Sequence, residues 1–261
     1  MSMNEGGNRR ELACVYGATI VIWLAFDRMA AVTESTSGEA GIAIAVVVTA
    51  ALLGAERIVH GRSPVAAWRA LGCGAPQIRG MVVAAVISAV LLAVLPVAAR
   101  ITATPLALRS DWPKFVPGLF AQAGLAEELL FRGYLFGTLR HNRSFWRAAL
   151  LAVPPFLLVH LLLFATMSFP VAASATLLSV VVSFPLARLY DLGGATVWAP
   201  AIVHAVIQGG IKIVEIPEER MIAVATVWMA ASMVVPWLAF AVRSTSTKLP
   251  RGNVIVSAGC I

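Results

Sequence analysis

Three charged side chains, Glu127, Glu128 and Arg132, interrupt an otherwise apolar stretch of the chain. The nearest charges on either side are Lys114 and Arg140, and Glu127 lies 13 residues from each of them. As a helix, this stretch is long enough to cross a lipid bilayer with Glu127 near its centre. Ionisable groups at that depth are costly to bury, so the three side chains are candidates for a functional site.

The spacing of the three charges predicts different roles for them. Arg132 follows Glu128 by four residues, so the two side chains are neighbours on a helix and can form an ion pair. Glu127 points about a quarter-turn away from Glu128, which leaves its carboxylate available for chemistry. The alternative is an ion pair that only locks the packing of the helices.

Two histidines inside other apolar segments match the depth of Glu127. His160 and His204 each lie 13 residues from a charged residue at the predicted cytoplasmic end of their segment, as Glu127 does. At ~1.5 Å per residue, all three side chains are expected roughly 20 Å from that membrane boundary. Gln208 shares a helix face with His204, and Phe156 shares one with His160 and is expected to wall the pocket.

These residue types can hydrolyse a peptide bond without a covalent intermediate. Glu127 and His160 can polarise a water molecule as general base. An imidazole N–H of His204 and the amide N–H of Gln208 can stabilise the oxyanion of a tetrahedral intermediate. The alternative is a metal site, such as zinc, held by Glu127, His160 and His204. The spacing of the residues does not decide between the two.

The composition of the chain indicates a membrane protein. Of its 261 residues, 59% are hydrophobic and 13% are charged, and the mean hydropathy is +0.85. Soluble domains carry about 25% charged residues, so we expect an all-α, polytopic protein that contacts the lipid bilayer. Its net charge of +7 does not indicate nucleic-acid binding, since basic residues gather in the cytoplasmic loops of membrane proteins.

Apolar segments along the chain predict about eight transmembrane helices, with the site between helices 4, 5 and 7. The spans are expected near residues 12–31, 41–55, 80–99, 115–139, 148–167, 170–188, 193–214 and 221–242. With both termini in the cytoplasm, 13 of the 20 basic residues lie on the cytoplasmic side. We therefore expect a multi-pass protein of the cell membrane with that orientation.

The chain is expected to divide into three parts. Residues 1–114 form helices 1–3 with a basic cytoplasmic loop, residues 115–242 form the catalytic membrane core, and residues 243–261 form a basic tail.

The three motifs together resemble a known family. Glu127-Glu128-x-x-x-Arg132, Phe156-x-x-x-His160 and His204-x-x-x-Gln208, in this order, are similar to the CAAX protease and bacteriocin-processing family. These are glutamic-type intramembrane endopeptidases related to the type II CAAX prenyl endopeptidase. The resemblance covers about residues 115–215 and includes the Gly-Tyr-Leu that follows Arg132.

The resemblance implies a role for each motif residue. Glu127 and His160 would activate water, and His204 with Gln208 would form the oxyanion hole. Glu128 and Arg132 would shape the site, no cofactor would be needed, and the substrate would be a membrane-associated or membrane-inserted polypeptide. The family usually carries Asn or Asp where this chain has Gln208, whose side chain is one methylene longer than that of Asn.

Two other functions remain open at this point. A membrane chaperone or scaffold of the same fold would keep the helices without catalysis. A transporter would use the intramembrane charges to line a pathway, although no internal repeat typical of many transporters is seen in the sequence.

Overall fold

The computed structural model describes residues 3–32, 38–141 and 143–243, and within them the chain is almost entirely helical. The α-helices are α1 (Met3–Val32), α2 (Gly38–His60), α3 (Pro64–Ala70), α4 (Ile78–Ile101), α5 (Trp112–Leu119), α6 (Gly137–Arg140), α7 (Phe145–Leu161), α8 (Phe169–Leu192), α9 (Trp198–Gly209) and α10 (Glu218–Val234). The other elements are two π-helical segments, π1 (Phe120–Ala126) and π2 (Leu129–Phe136), the 3₁₀ turns Leu162–Ala165 and Val235–Phe240, and the strands β1 (Ala107–Leu108) and β2 (Val214–Glu215).

Six helical segments of the described chain are long and apolar enough to cross a membrane. They are Leu12–Ala31, Ala40–His60, Ile78–Ile101, Phe145–Ala165, Phe169–Leu192 and Glu218–Phe240. Only 17% to 33% of the most apolar window of each segment is buried inside the protein, so apolar side chains are left to face lipid. The chain is therefore an all-α, polytopic membrane protein, as its composition predicted.

The predicted fourth span, 115–139, lies in the interior of the bundle. It belongs to a nearly unbroken helical rod from Trp112 to Arg140, composed of α5, π1, π2 and α6. All eight residues of π2 are buried. A Cβ on Gly124 in π1 would lie 2.8 Å from the carbonyl oxygen of Ala201, so the backbone of the rod packs closely against α9. Wide π-helical turns of this kind often occur at functional sites.

The predicted seventh span, 193–214, is a shorter helix than expected. α9 has 12 residues, whereas a helix needs about 20 to cross a bilayer. Before it, the N–H of Val197 donates to the carbonyl of Gly72, and the N–H of Gln77 donates to that of Gly193, so residues 193–197 form a turn. The rod and α9 occupy the two remaining predicted spans, and the count of eight transmembrane helices stays a prediction.

One end of the bundle, which we call the basic end, collects arginines from distant parts of the chain. Arg140 donates from Nε to Asp191 at 3.1 Å, and Arg188 donates from Nη2 to the carbonyl of Val242 at 2.7 Å. Glu56 pairs with Arg62 at the same end. Among the side chains that the structure describes, the arginines of the basic end are Arg57, Arg62, Arg69, Arg79, Arg140, Arg143, Arg147, Arg188 and Arg243.

Two short strands, β1 and β2, lie at the end of the bundle opposite the basic end. β1 and β2 are antiparallel, with Ala107 opposite Glu215 and Leu108 opposite Val214. This pair connects the region between α4 and α5 to the region between α9 and α10. The end of α1 and the connection from α7 to α8 lie at the same end, because the chain crosses the bundle once with each long helix.

Gly133 shows how closely the rod packs against its surroundings. A Cβ on this residue would lie 2.4 Å from the carbonyl oxygen of Leu71, a backbone atom that cannot rotate away. We expect Gly133→Ala to lower the free energy of unfolding by ~1–3 kcal/mol, as overpacking does. Thermal unfolding in detergent measures this. Gly54→Ala is the matched control, since a Cβ there meets nothing within 4 Å, and equal melting temperatures for the two variants would contradict the prediction.

Candidate active site

Glu127 and Glu128 lie in the rod between π1 and π2, at the level where the rod packs against α9. Glu128 is fully buried, and its Oε1 accepts a hydrogen bond from Arg132 Nη1 at 2.8 Å. This is the ion pair that the four-residue spacing predicted. The same Oε1 is 2.7 Å from His204 Nδ1, a second partner that the sequence did not predict. Glu128 therefore connects Arg132 on its own segment with α9.

Glu127 has a different environment from its neighbour. Its Oε2 lies 3.8 Å from His204 Nε2, and its side chain keeps 14% of its surface exposed. His204 therefore lies between two carboxylates, with Nδ1 toward Glu128 and Nε2 toward Glu127. A carboxylate oxygen of Glu128 accepts the hydrogen on Nδ1, so Nε2 is the atom of this ring that faces the exposed carboxylate.

His160 is held by contacts on two sides. Its Nδ1 lies 2.8 Å from the carbonyl oxygen of Phe156. A carbonyl only accepts hydrogen bonds, so Nδ1 carries the hydrogen and Nε2 of the neutral ring is an acceptor. The ring centre is 4.5 Å from that of Phe156 and 5.9 Å from that of Trp23 on α1. Phe156 also lies 5.3 Å from the guanidinium carbon of Arg132, so it contacts two of the predicted site residues.

A cavity of about 420 Å³ brings the predicted residues together. Its lining includes Glu127, Arg132, Phe156, His160, His204 and Gln208. Glu128 is not part of the lining, and it lies behind His204 and Arg132, which it contacts. Residues from the rod, α7 and α9 thus face one space.

The cavity also uses residues that the sequence analysis missed. Trp23, Asp27 and Arg28 of α1 line it, as does Lys212 beyond the end of α9. An aromatic residue in an apolar span normally indicates packing, so nothing in the sequence singled out Trp23. The site therefore draws on the part of the chain before residue 114, which the sequence analysis treated as separate from the core.

Two donors in the wall of the cavity have no protein partner among the described residues. They are Nη2 of Arg132 and Nε1 of Trp23, and both atoms are buried. A buried polar atom without a hydrogen-bond partner lowers the stability of a protein by about 1–3 kcal/mol.

The alternative metal set consists of Glu127, His160 and His204, which come from the rod, α7 and α9. Within residues 3–32, 38–141 and 143–243, no three His, Cys, Asp or Glu side chains converge closely enough to hold a metal ion. Nδ1 of each histidine already faces an acceptor, Phe156 for His160 and Glu128 for His204. As arranged, the three residues do not form one coordination site.

Comparison with known proteins gives one match. A family model for type II CAAX prenyl endopeptidase Rce1-like proteins matches residues 109–209. No curated protein matches the chain. The matched segment contains the rod, α7, α8 and α9, and with them all seven residues that the sequence analysis placed in or around the site. Residues 109–209 of this chain are therefore similar to the Rce1-like family of type II CAAX prenyl endopeptidases.

Proposed function

We propose that this protein hydrolyses a peptide bond within the membrane, using a water molecule activated by Glu127 and His160. The Rce1-like family implies intramembrane CAAX endopeptidase activity in general terms, and the roles of the individual residues are our proposal. One observation carries it. A carboxylate, two imidazoles and a carboxamide from three helical segments line a single cavity in an otherwise apolar bundle.

In the proposed reaction, Glu127 and His160 act on the same water molecule. The Glu128 carboxylate takes up the ion pair with Arg132, so Glu127 keeps its capacity to accept a proton. The free acceptor of His160, Nε2, orients the second hydrogen of the water. The water oxygen bonds to the scissile carbonyl carbon as its proton passes to Glu127, and the proton then moves to the leaving amine when the C–N bond breaks.

His204 and Gln208 are proposed to stabilise the oxyanion. Gln208 donates from its amide, and His204 donates from Nε2. Because Nδ1 of His204 already donates to Glu128 at 2.7 Å, donation from Nε2 requires a hydrogen on both nitrogens. Donors of this kind act on charge that develops only in the transition state.

The proposed substrate is a membrane-associated or membrane-inserted polypeptide. The membrane-spanning helices and the family match support this substrate class.

The oxyanion role predicts the behaviour of Gln208 variants. We expect Gln208→Ala to lower kcat by ~10²–10³-fold, with a much smaller effect on substrate binding, because one transition-state donor is lost. Gln208→Asn restores a donor on a shorter side chain and should recover part of the activity. Steady-state kinetics of purified protein in detergent, with a peptide substrate, measure both effects.

Exhaustive chelation followed by elemental analysis separates the proposal from the metal alternative. Without a metal, activity should survive the chelator, while Gln208→Ala still shows its loss. If activity vanishes with the chelator and returns with one equivalent of zinc, the water-activating roles of Glu127 and His160 must be abandoned in favour of metal chemistry.

A further inference from the structure

Four aromatic rings form a closed cluster near the basic end, where the 3₁₀ turn Val235–Phe240 packs against α7 and α8. The ring of Phe240 stacks on Trp146 of α7 at 5.4 Å and on Trp237 at 5.2 Å. Phe184 of α8 completes the set, 6.1 Å from Trp146 and 6.2 Å from Trp237. We call these four residues the aromatic cluster. Its two tryptophans stay exposed on the surface, Trp146 by 51% and Trp237 by 38%.

The positions of the two tryptophans along their helices place them at the edge of the bilayer. Trp146 is the second residue of the apolar segment Phe145–Ala165, and Trp237 lies three residues before the end of Glu218–Phe240. Tryptophan gathers at this depth, where one end of the ring contacts acyl chains and the other is wet. Leu150, one turn after Trp146, is 59% exposed and continues the same face of α7 into the apolar layer. The cluster therefore begins an apolar surface at the level of the lipid headgroups.

Arginines border this surface on the side of the basic end. Arg147 is exposed beside Trp146 on α7. The guanidinium carbon of Arg188 lies 5.9 Å from the ring of Phe240, and Arg243 is exposed three residues beyond that ring. Guanidinium groups bind phosphate oxygens with several N–H donors at once. The surface is thus apolar toward the membrane and cationic toward the water.

The acidic side chains of the basic end leave most of its arginines without a counter-ion. The side chains described there include nine arginines and two acids, Glu56 and Asp191. Glu56 pairs with Arg62, and Asp191 pairs with Arg140. No carboxylate within residues 38–141 or 143–243 forms an ion pair with Arg147. This end therefore keeps a surplus of positive charge that attracts an anionic group.

We propose that the aromatic cluster and the arginines beside it bind one anionic phospholipid of the surrounding bilayer. The phosphodiester group lies among Arg147, Arg188 and Arg243, and the acyl chains lie along the two tryptophans and Leu150. A phospholipid matches both halves of the surface, whereas a soluble anion would use only the arginines. The bound lipid joins α7, α8 and the turn that ends the last long helix, and its binding does not depend on peptide hydrolysis.

Native mass spectrometry of the delipidated protein in detergent tests the headgroup half of the site. We expect one phosphatidylglycerol to bind about tenfold or more tightly than phosphatidylcholine with the same acyl chains. Arg147→Gln should weaken this binding about fivefold, the factor that one arginine contributes beside an anionic membrane surface. Arg69→Gln is the matched control and should change the affinity less than about twofold, since it removes an exposed arginine of the same end that lies on α3, away from the cluster.

Trp146→Ala tests the aromatic half of the site in the same measurement. It should weaken phosphatidylglycerol binding about tenfold, because the acyl chains lose the contact surface of a large side chain. Trp112→Ala is its control, since Trp112 is 42% exposed at the opposite end of the bundle, and it should leave the affinity unchanged.

Four results would overturn the proposal. Equal affinity for the two lipids, or equal losses in Arg147→Gln and Arg69→Gln, would reduce the effect to the general attraction of a cationic surface. Equal affinities of Trp146→Ala and Trp112→Ala would remove the aromatic cluster from the site. Displacement of the lipid by an equal concentration of glycerophosphoglycerol, which has no acyl chains, would indicate a site for soluble phosphodiesters. A dimer of the chain that Arg147→Gln dissociates would assign the surface to a second copy instead.

Discussion

Glu127→Gln is expected to abolish peptide hydrolysis while the protein remains folded. Its carboxylate lines the cavity and lies 3.8 Å from His204 Nε2, whereas the Arg132 ion pair is made by Glu128. An amide has the same shape as the carboxylate but cannot accept a proton from water. Loss of a positioned general base typically lowers turnover ~10²–10⁴-fold. Kinetics and thermal unfolding of the purified variant measure the two quantities separately.

Asp27→Asn is the matched control for this substitution. Asp27 is also a carboxylate of the cavity lining, but it lies beside Arg28, with 42% of its side chain exposed. The same change of carboxylate to amide should leave most of the activity there. If purified Glu127→Gln keeps full activity, Glu127 is not the base and the proposed mechanism is wrong.

An inactive, folded Glu127 variant also provides a way to find the substrate. Glu127→Ala expressed in native membranes should retain uncleaved substrate in the cavity, and crosslinking with mass spectrometry would identify it. A trapped polypeptide whose crosslinks map to lining residues such as Thr166 or Arg28 would show that the substrate occupies this cavity.

Glu128→Gln is expected to destabilise the protein more than Glu127→Gln does. The Glu128 carboxylate is fully buried and has two cationic or polar partners, Arg132 and His204. A neutral amide leaves the Arg132 guanidinium buried without a counter-ion, and breaking a buried pair in this way costs ~3–5 kcal/mol. Thermal or denaturant unfolding in detergent should show this loss.

A double variant separates the ion pair from other contributions of Glu128. Arg132→Met in the Glu128→Gln background removes the stranded charge, so a large part of the lost stability should return. Activity should not return with it, because His204 has still lost the carboxylate that orients Nδ1. A Glu128→Gln protein that unfolds at the temperature of the unsubstituted chain would show that the ion pair contributes nothing to stability.

The sequence determined the features of this protein that depend on composition and on neighbours along one helix. Its apolar, weakly charged composition predicted the all-α membrane protein that the six long helices confirm. The four-residue spacing of Glu128 and Arg132 predicted their ion pair, because residues four apart on a helix lie on one face. The ordered motifs also indicated the family that matches residues 109–209.

Contacts between distant segments were decided by the tertiary structure. The hydrogen bond between Glu128 and His204 joins residues that are 76 positions apart, and Trp23 reaches His160 from the first helix. Helical periodicity defines the faces of each helix, but it does not determine which faces of separate helices meet. That choice follows from packing of the whole bundle, including the close approach of Gly124 to α9.

The length of α9 and the shape of the cavity likewise did not follow from the sequence. Hydropathy extended the seventh span over residues 193–214, but backbone hydrogen bonds to Gly72 and Gln77 hold its first residues in a turn. The cavity is lined by Arg28, Thr166 and Lys212, which meet there because of where three separate helices end relative to one another. Sequence spacing measures depth along a single helix, whereas the shape of a cavity depends on the relative positions of several helices, which only the folded chain defines.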